Sequence, residues 1–125
     1  MTKPELAAKF ADAHSDRERR RRRHSRYRSD FKVTVSHLTG NLFEKIEGRC
    51  KDLSEAGIGI LLATELENGE VTGLSFLLPG SADPWELRAV VRHRRGYHYG
   101  FEFLSLNHEQ RITLRSYFSG LIVID

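Results

Sequence analysis

The sequence has little cysteine and no long apolar run. Cys50 is its only cysteine, which excludes an intramolecular disulfide and any metal site built from several thiolates. We expect Cys50 to be a small buried strand residue. No run approaches the roughly eighteen apolar residues that span a membrane, and the first residues lack an apolar signal region. We therefore expect a cytoplasmic, soluble protein of one domain, since 125 residues bury a modest core.

Motifs of common catalytic sites are absent as well. The sequence contains no GxxxxGK[ST] phosphate loop, no GxGxxG opening a helix and no GxSxG nucleophile elbow. Six histidines are present, but His93 and His98 flank a predicted hairpin turn, and no carboxylate cluster accompanies them at metal-ligand spacing. We therefore expect no enzyme, no metal and no cofactor, and we interpret these histidines as surface or strand residues.

Positive charge is concentrated in one segment. Residues 17–28, here called the basic arm, contain eight arginines and one glutamate. The arm therefore has a formal charge of +7. Since the net charge of the whole chain is +3, the rest of the chain has a formal charge of −4. Blocks of like charge are usually solvated and self-repelling, and many of them bind nucleic acid. A nucleic-acid-binding module is therefore one hypothesis.

The remaining pattern is mostly that of β-strands. Before the arm, a capping-box spacing and apolar residues at i and i+4 predict a short helix over about 3–13. Apolar and polar residues alternate in segments that begin near residues 31, 44, 58, 71, 85 and 97, with Asn-Gly, Pro-Gly and Arg-Gly turns between some of them. About six short strands indicate an antiparallel sheet closed into a β-barrel, with Trp85 in its core.

A helix is predicted at the C-terminal end. Asn107 is a suitable N-cap with Gln110 three residues later, and Gly120 is a suitable stop. The apolar residues 121–124 fit neither a helix nor a strand, so we interpret them as a packed tail or a partner surface. The predicted fold is mainly β: a six-stranded antiparallel barrel with a C-terminal α-helix and a basic N-terminal arm.

Two short segments have the residue types of a guanine-nucleotide site. The first runs from Arg22 to Arg26, and guanidinium groups pair with phosphate oxygens or with the O6/N7 edge of guanine. The second contains Asp52, whose carboxylate complements the N–H donors of the other guanine edge. In an extended segment Asp52 and Ser54 point to the same face. Gly57 permits a turn with positive φ or the close approach of a ligand.

The order of these two segments resembles a known family. RxxxR from Arg22 to Arg26, followed by DxSxxG at Asp52, Ser54 and Gly57, resembles the PilZ domain. The resemblance covers roughly residues 20–120 and includes Tyr-His-Tyr-Gly-Phe-Glu-Phe as a closing strand. It implies a barrel with a terminal helix and a receptor for cyclic di-GMP, a bacterial second messenger. We accordingly divide the chain into an N-terminal segment (1–20), a PilZ-like domain (21–121) and an apolar tail (122–125).

The resemblance also assigns a ligand site. The predicted contacts are Arg22, Arg26, Asp52, Ser54 and Gly57, with Arg21, Arg23 and Arg92 as supplementary contacts. Ligand binding is expected to neutralise and fold the basic arm, which changes the surface offered to an unknown partner protein. Two alternatives stay open: the nucleic-acid module, which the second segment makes less favoured, and a PilZ-like adaptor that works without ligand. The protein is expected to be a monomer or a homodimer.

The two motif arginines give the first testable prediction. A hydrogen bond to a charged group contributes about 1.5–3 kcal/mol. Since about 1.4 kcal/mol is a tenfold change in affinity, we expect Arg22→Ala and Arg26→Ala each to weaken cyclic di-GMP binding by roughly ten- to hundredfold. Calorimetric titration measures the change, and unchanged affinity in both variants would refute the assigned site.

Overall fold

The structure, a computed structural model, describes residues 24–124. Its strands are β1 (Tyr27–Thr39), β2 (Leu42–Leu53), β3 (Gly57–Leu61), β4 (Val71–Phe76), β5 (Trp85–Arg95) and β6 (His98–Phe103), and the helix α1 (His108–Phe118) follows them. The helix predicted over 3–13 lies outside the described residues, as do all arginines of the basic arm before Arg26.

The six strands form a closed antiparallel barrel in the order β1-β2-β3-β6-β5-β4. Alternation of apolar residues sets this architecture, because Val33 and Val35 of β1 are fully buried whereas Lys32 between Phe31 and Val33 is exposed. The barrel closes where β1 meets β4, with Val35 opposite Leu74. Closure leaves no open sheet around the core. The predicted six-stranded antiparallel barrel is therefore confirmed.

The barrel interior is a single apolar cluster. Its fully buried members include Val33, Val35, Leu53, Ile60, Leu74, Val91 and Tyr99. The Tyr99 hydroxyl donates to the carbonyl of Thr64 at 2.6 Å and accepts from the Leu66 amide at 3.1 Å, so the one phenol among them is hydrogen-bonded. Trp85 is half-buried and packs on the edge of this cluster against Phe76, with ring centroids 5.8 Å apart.

β1 begins earlier than the alternation predicts. The pattern places its start near Phe31, but the strand starts at Tyr27 and contains a register shift between Arg28 and Phe31. Tyr27 stacks on Phe118 of α1, with ring centroids 4.3 Å apart and an angle of 12° between the rings. Through this long-range stacking, the last residues of the basic arm form part of β1. The expectation that the whole arm is solvated is therefore wrong for its last residues.

The C-terminal residues pair with the start of β1. The Arg28 amide donates to the carbonyl of Ile122 at 2.8 Å, and the Ile124 amide donates to the carbonyl of Arg26 at 2.9 Å. Between these two bonds, Tyr27 forms an isolated antiparallel bridge with Val123. The apolar tail therefore lies beside the end of the basic arm.

The capping box of α1 is present as predicted. The Gln110 amide donates to Asn107 Oδ1 at 2.8 Å, and the Asn107 amide donates to Gln110 Oε1 at 2.9 Å. The helix ends at Phe118 with Ser119 as C-cap, and Gly120 does not adopt the left-handed conformation of a glycine stop. Within residues 24–124, no helix is long and apolar enough to cross a membrane.

Cys50 gives a prediction about reactivity. Its side chain is fully buried, its thiol contacts the carbonyl of Asp52 at 3.3 Å, and burial raises the pKa of the thiol. Since the thiolate is the reactive form, we expect the native protein to resist the thiol reagent DTNB at about pH 8, whereas the protein in denaturant reacts completely. One equivalent of rapidly reacting thiol in the native protein would contradict this.

The same raised pKa has a consequence for stability. A raised pKa of a thiol in the folded state favours the protonated form, so its contribution is complete below the thiol pKa of the unfolded chain. The contribution is lost as the pH rises from that value towards the folded-state pKa. Burial of Cys50 therefore makes the fold less stable at alkaline pH.

Candidate functional site

A row of opposed residues crosses five strands on the outer face of the barrel. In order from β1 through β2, β3 and β6 to β5, the row is Arg28, Asp52, Gly59, Gly100 and His93. Residues directly opposite each other in antiparallel strands share a face. The next pair along β2 and β3, Leu53 with Ile58, points into the core. The row therefore faces away from the core.

Two glycines in this row make room for the side chains beside them. A Cβ on Gly59 would lie 2.4 Å from Asp52 Oδ2, and a Cβ on Gly100 would lie 2.0 Å from His93 Nε2. The Asp52 carboxylate therefore lies directly on the backbone of β3, and the His93 ring lies on that of β6. A side chain at either glycine would push its neighbour away.

Asp52 is the centre of the candidate site. The residue is only 8% exposed. Its Oδ2 is 3.0 Å from His98 Nε2, and its Oδ1 is 3.2 Å from Arg26 Nη2. The contact with Arg26 is an ion pair without hydrogen-bond geometry, so among the described residues Oδ1 has no hydrogen-bond partner. A buried acceptor without a donor is uncommon, and this one is suited to accept an N–H from a ligand.

The structure thus brings the two sequence motifs together at Asp52 and Arg26. Arg21, Arg22 and Arg23 lie outside the described part of the chain, so their ligand contacts stay predictions. Arg92 lies on the outer face of β5, where its Nε donates to Glu102 at 2.5 Å. A ligand contact by Arg92 also stays a prediction.

Ser54 has a different local role from the one its spacing suggests. β2 ends at Leu53, so strand alternation does not align Ser54 with Asp52. The Ser54 hydroxyl is buried and accepts from the amides of Ala56 and Gly57, each at 3.1 Å. Serine hydroxyls commonly stabilise turns in this way. The hydroxyl therefore shapes the loop between β2 and β3, and its contact with a ligand stays a prediction.

Gly57 is required for a reason that its motif position does not show. Its φ is not positive, so the first of the two suggested roles, a turn with positive φ, is wrong, and the close approach of a ligand stays a prediction. A Cβ on Gly57 would lie 2.1 Å from the backbone carbonyl oxygen of Phe101. The close approach made possible by Gly57 is therefore that of β3 to β6.

Asp30 pairs with two cations of β2 near the site. Hydrogen bonds from Lys51 at 3.1 Å and from Arg49 at 2.5 Å hold the pKa of Asp30 below its usual range. Asp30 lies in the irregular part of β1, two residues from Arg28.

Several residues of the site were missed from sequence. His98 was interpreted only as a surface or strand histidine; it is the first residue of β6, and its contact with Asp52 was not foreseen. Glu55 joins the arm to α1: its carboxylate is 3.4 Å from His24 Nδ1 and 2.9 Å from Arg115 Nε. These partners are far apart in the chain. The order of strands brings His98 to Asp52, and the packing of the arm and α1 beside the β2–β3 loop brings His24 and Arg115 to Glu55.

A closed barrel of six antiparallel strands, with Asp52 and Arg26 paired on its outer face, defines a class of small β-barrel domain. The family model for the PilZ domain matches residues 20–120. The chain belongs to the PilZ domain family. None of the curated proteins matches it significantly.

Solved PilZ structures share the fold. The PilZ domain of CeSA from a cellulose-synthesizing bacterium aligns with a TM-score of 0.56 at 18% identity, over 76% of this chain and 95% of that one. The PilZ domain of Escherichia coli YcgR, solved with c-di-GMP, gives 0.63 at 22% identity, over 81% and 91%. The Bacillus subtilis motility inhibitor MotI/DgrA gives 0.64 at 20% identity, over 78% of this chain and 48% of that one.

The close approach at Gly57 is testable with a matched pair of variants. A Cβ on Gly57 overlaps a backbone oxygen that cannot rotate away, whereas a Cβ on Gly73 meets only Ser36 Cβ at 3.7 Å. Since overpacking costs about 1–3 kcal/mol, and sometimes more, we expect Gly57→Ala to lower the free energy of unfolding by at least about 2 kcal/mol. Gly73→Ala should change it by less than about 1 kcal/mol. Equal stability of the two variants in urea denaturation would contradict this explanation.

Proposed function

We propose that this protein is a cyclic di-GMP receptor that acts in the cytoplasm and binds its ligand where the basic arm meets the loop between β2 and β3. The observation that carries the proposal is the Asp52 carboxylate, which is buried and keeps Oδ1 without a hydrogen bond in the described part of the chain. Guanine offers N–H donors to such an oxygen. Membership of the PilZ family and the ligand bound to the YcgR domain support the choice of ligand.

In the proposed complex the ligand replaces an internal ion pair. Arg26 Nη2 lies 3.2 Å from Asp52 Oδ1, and the Arg26 side chain keeps 31% of its surface exposed. Ligand N–H groups would bond Asp52 Oδ1, while phosphate oxygens or the O6/N7 edge of guanine would bond the Arg26 guanidinium. Both groups of the ion pair thereby exchange one weak contact for a charge-assisted hydrogen bond.

The other proposed contacts come from the arm and the barrel surface. Arg22, with Arg21 and Arg23, would bind phosphate oxygens, because guanidinium groups match phosphate geometry. Gly57 would hold the loop in place, and Ser54 would add a hydroxyl contact. Arg92 would have to exchange its bond to Glu102 for one to the ligand. Binding requires no catalytic step in this proposal.

Binding is proposed to act as a signal through the arm. Residues 17–28 carry +7, so phosphates that neutralise them remove repulsion within the arm and allow it to fold onto the barrel. Glu55 contacts both His24 in the arm and Arg115 in α1, so an arm movement also changes the surroundings of the helix. A partner protein would recognise the resulting surface.

Calorimetric titration at near-physiological salt tests the proposal. The ligands are cyclic di-GMP, linear GpG, GTP and a short single-stranded oligonucleotide. We expect selective cyclic di-GMP binding with a dissociation constant on the order of micromolar or lower, weakened at least about tenfold by Asp52→Ala. The control Asp83→Ala removes an exposed loop carboxylate and should leave affinity unchanged.

Two other results would overturn the proposal in different ways. Binding of the oligonucleotide that falls steeply with salt and survives Asp52→Ala would indicate the nucleic-acid module. Failure to bind either cyclic di-GMP or the oligonucleotide would indicate an adaptor that works without ligand.

A further inference from the structure

We infer that His98 positions Asp52 for recognition of guanine and thereby sets the selectivity of the site for that base. This inference rests on the proposed function. His98 is the first residue of β6, and its Nε2 lies 3.0 Å from Asp52 Oδ2. No feature of the RxxxR or DxSxxG pattern includes this residue.

The Asp52 carboxylate needs a partner that fixes its orientation. The terminal torsion of an aspartate is broad, so packing alone does not decide which oxygen faces a ligand. The Arg26 ion pair lacks hydrogen-bond geometry and therefore does not orient the carboxylate strongly. His98 supplies a directional hydrogen bond to Oδ2, and Gly59 supplies the surface on which the carboxylate lies. Together they leave Oδ1 as the oxygen for the ligand.

The direction of this hydrogen bond follows from the chemistry of the two groups. An ionised carboxylate only accepts hydrogen bonds, so His98 Nε2 must carry a proton. Both the Nε2–H tautomer and the imidazolium meet this requirement. The other tautomer, with its proton on Nδ1, would place two acceptors against each other.

Fixing Oδ1 as an acceptor favours guanine over adenine. The guanine edge opposite a carboxylate presents N1–H and the 2-amino group, both donors. Adenine presents at the same place an unprotonated N1 and a C–H, so it leaves Oδ1 without a donor. A buried acceptor left without a donor costs binding free energy. This cost is greatest when the carboxylate cannot rotate Oδ1 towards another donor. Loss of the His98 donor should therefore reduce discrimination between the bases.

A purely structural role would look different. The His98 side chain is 31% exposed and that of Asp52 is 11% exposed, so their bond lies close to solvent. Because Asp52 is buried, removing His98 leaves Oδ2 without its donor, and we expect some loss of stability. A general loss of stability would weaken the binding of both ligands alike, so the readout that distinguishes the two roles is the change in selectivity between them.

The experiment compares three variants with two ligands. His98→Leu removes the donor, His98→Gln keeps an N–H donor, and His108→Leu is a control at an exposed histidine of α1. Calorimetric titration measures the affinities for cyclic di-GMP and for cyclic di-AMP. We expect His98→Leu to weaken cyclic di-GMP binding about tenfold and cyclic di-AMP binding less than about twofold. His98→Gln should recover most of the selectivity, and His108→Leu should match the wild type. An equal loss for both ligands would overturn the inference.

A measurement without ligand separates this inference from the proposed function. Long-range ¹H–¹⁵N spectra of the imidazoles report which nitrogen of His98 is protonated. We expect Nε2 to be protonated and its signal to shift in Asp52→Ala. An unprotonated Nε2 would overturn the inference whatever the ligand does. If wild-type protein fails to bind cyclic di-GMP, the proposed function and the selectivity role fall together, while the spectrum still decides whether His98 holds Asp52.

Discussion

The close packing of β3 between β2 and β6 is the constraint on which the site depends. β3 has only five residues, and the absence of side chains at Gly57 and Gly59 lets the neighbouring strands and the Asp52 carboxylate come close. Because β6 is the neighbour of β3 in the barrel, His98 lies within hydrogen-bond distance of Asp52, although 46 positions separate them. A bulkier β3 would separate the groups that the proposed ligand has to meet together.

The strands and the capping box of α1 could be predicted because their signals are local. The alternation of apolar and polar residues in a segment such as 31–35 shows directly which residues face the core. The cap at Asn107 depends on a partner only three residues away. The start of β1 could not be predicted, because Tyr27 is held by Phe118 and by the C-terminal residues. Local charge favours a solvated arm at that point, and a long-range aromatic contact outweighs it.

The candidate site was predictable only in its residue types. Asp52 and Arg26 stand out since a carboxylate and a guanidinium at family spacing suit a guanine nucleotide, and the structure brings them together. His98 and Glu55 carry no comparable signal, because histidine and glutamate on a strand or loop are usually solvated. Their contacts depend on which elements are neighbours in the folded barrel. The alternation of apolar and polar residues shows which face a residue lies on, but it does not show the order of the strands.

The ion pair between Arg26 and Asp52 sets how the proposed receptor would respond to ligand. A partly exposed ion pair contributes roughly 0–1 kcal/mol, whereas a hydrogen bond to a charged group contributes about 1.5–3 kcal/mol. Opening the pair is therefore easily offset by two such bonds to a ligand. The pair also places a positive charge against the buried carboxylate. A stronger internal partner for Oδ1 would compete with the proposed ligand, so an oxygen that accepts no hydrogen bond from residues 24–124 suits the proposed binding role.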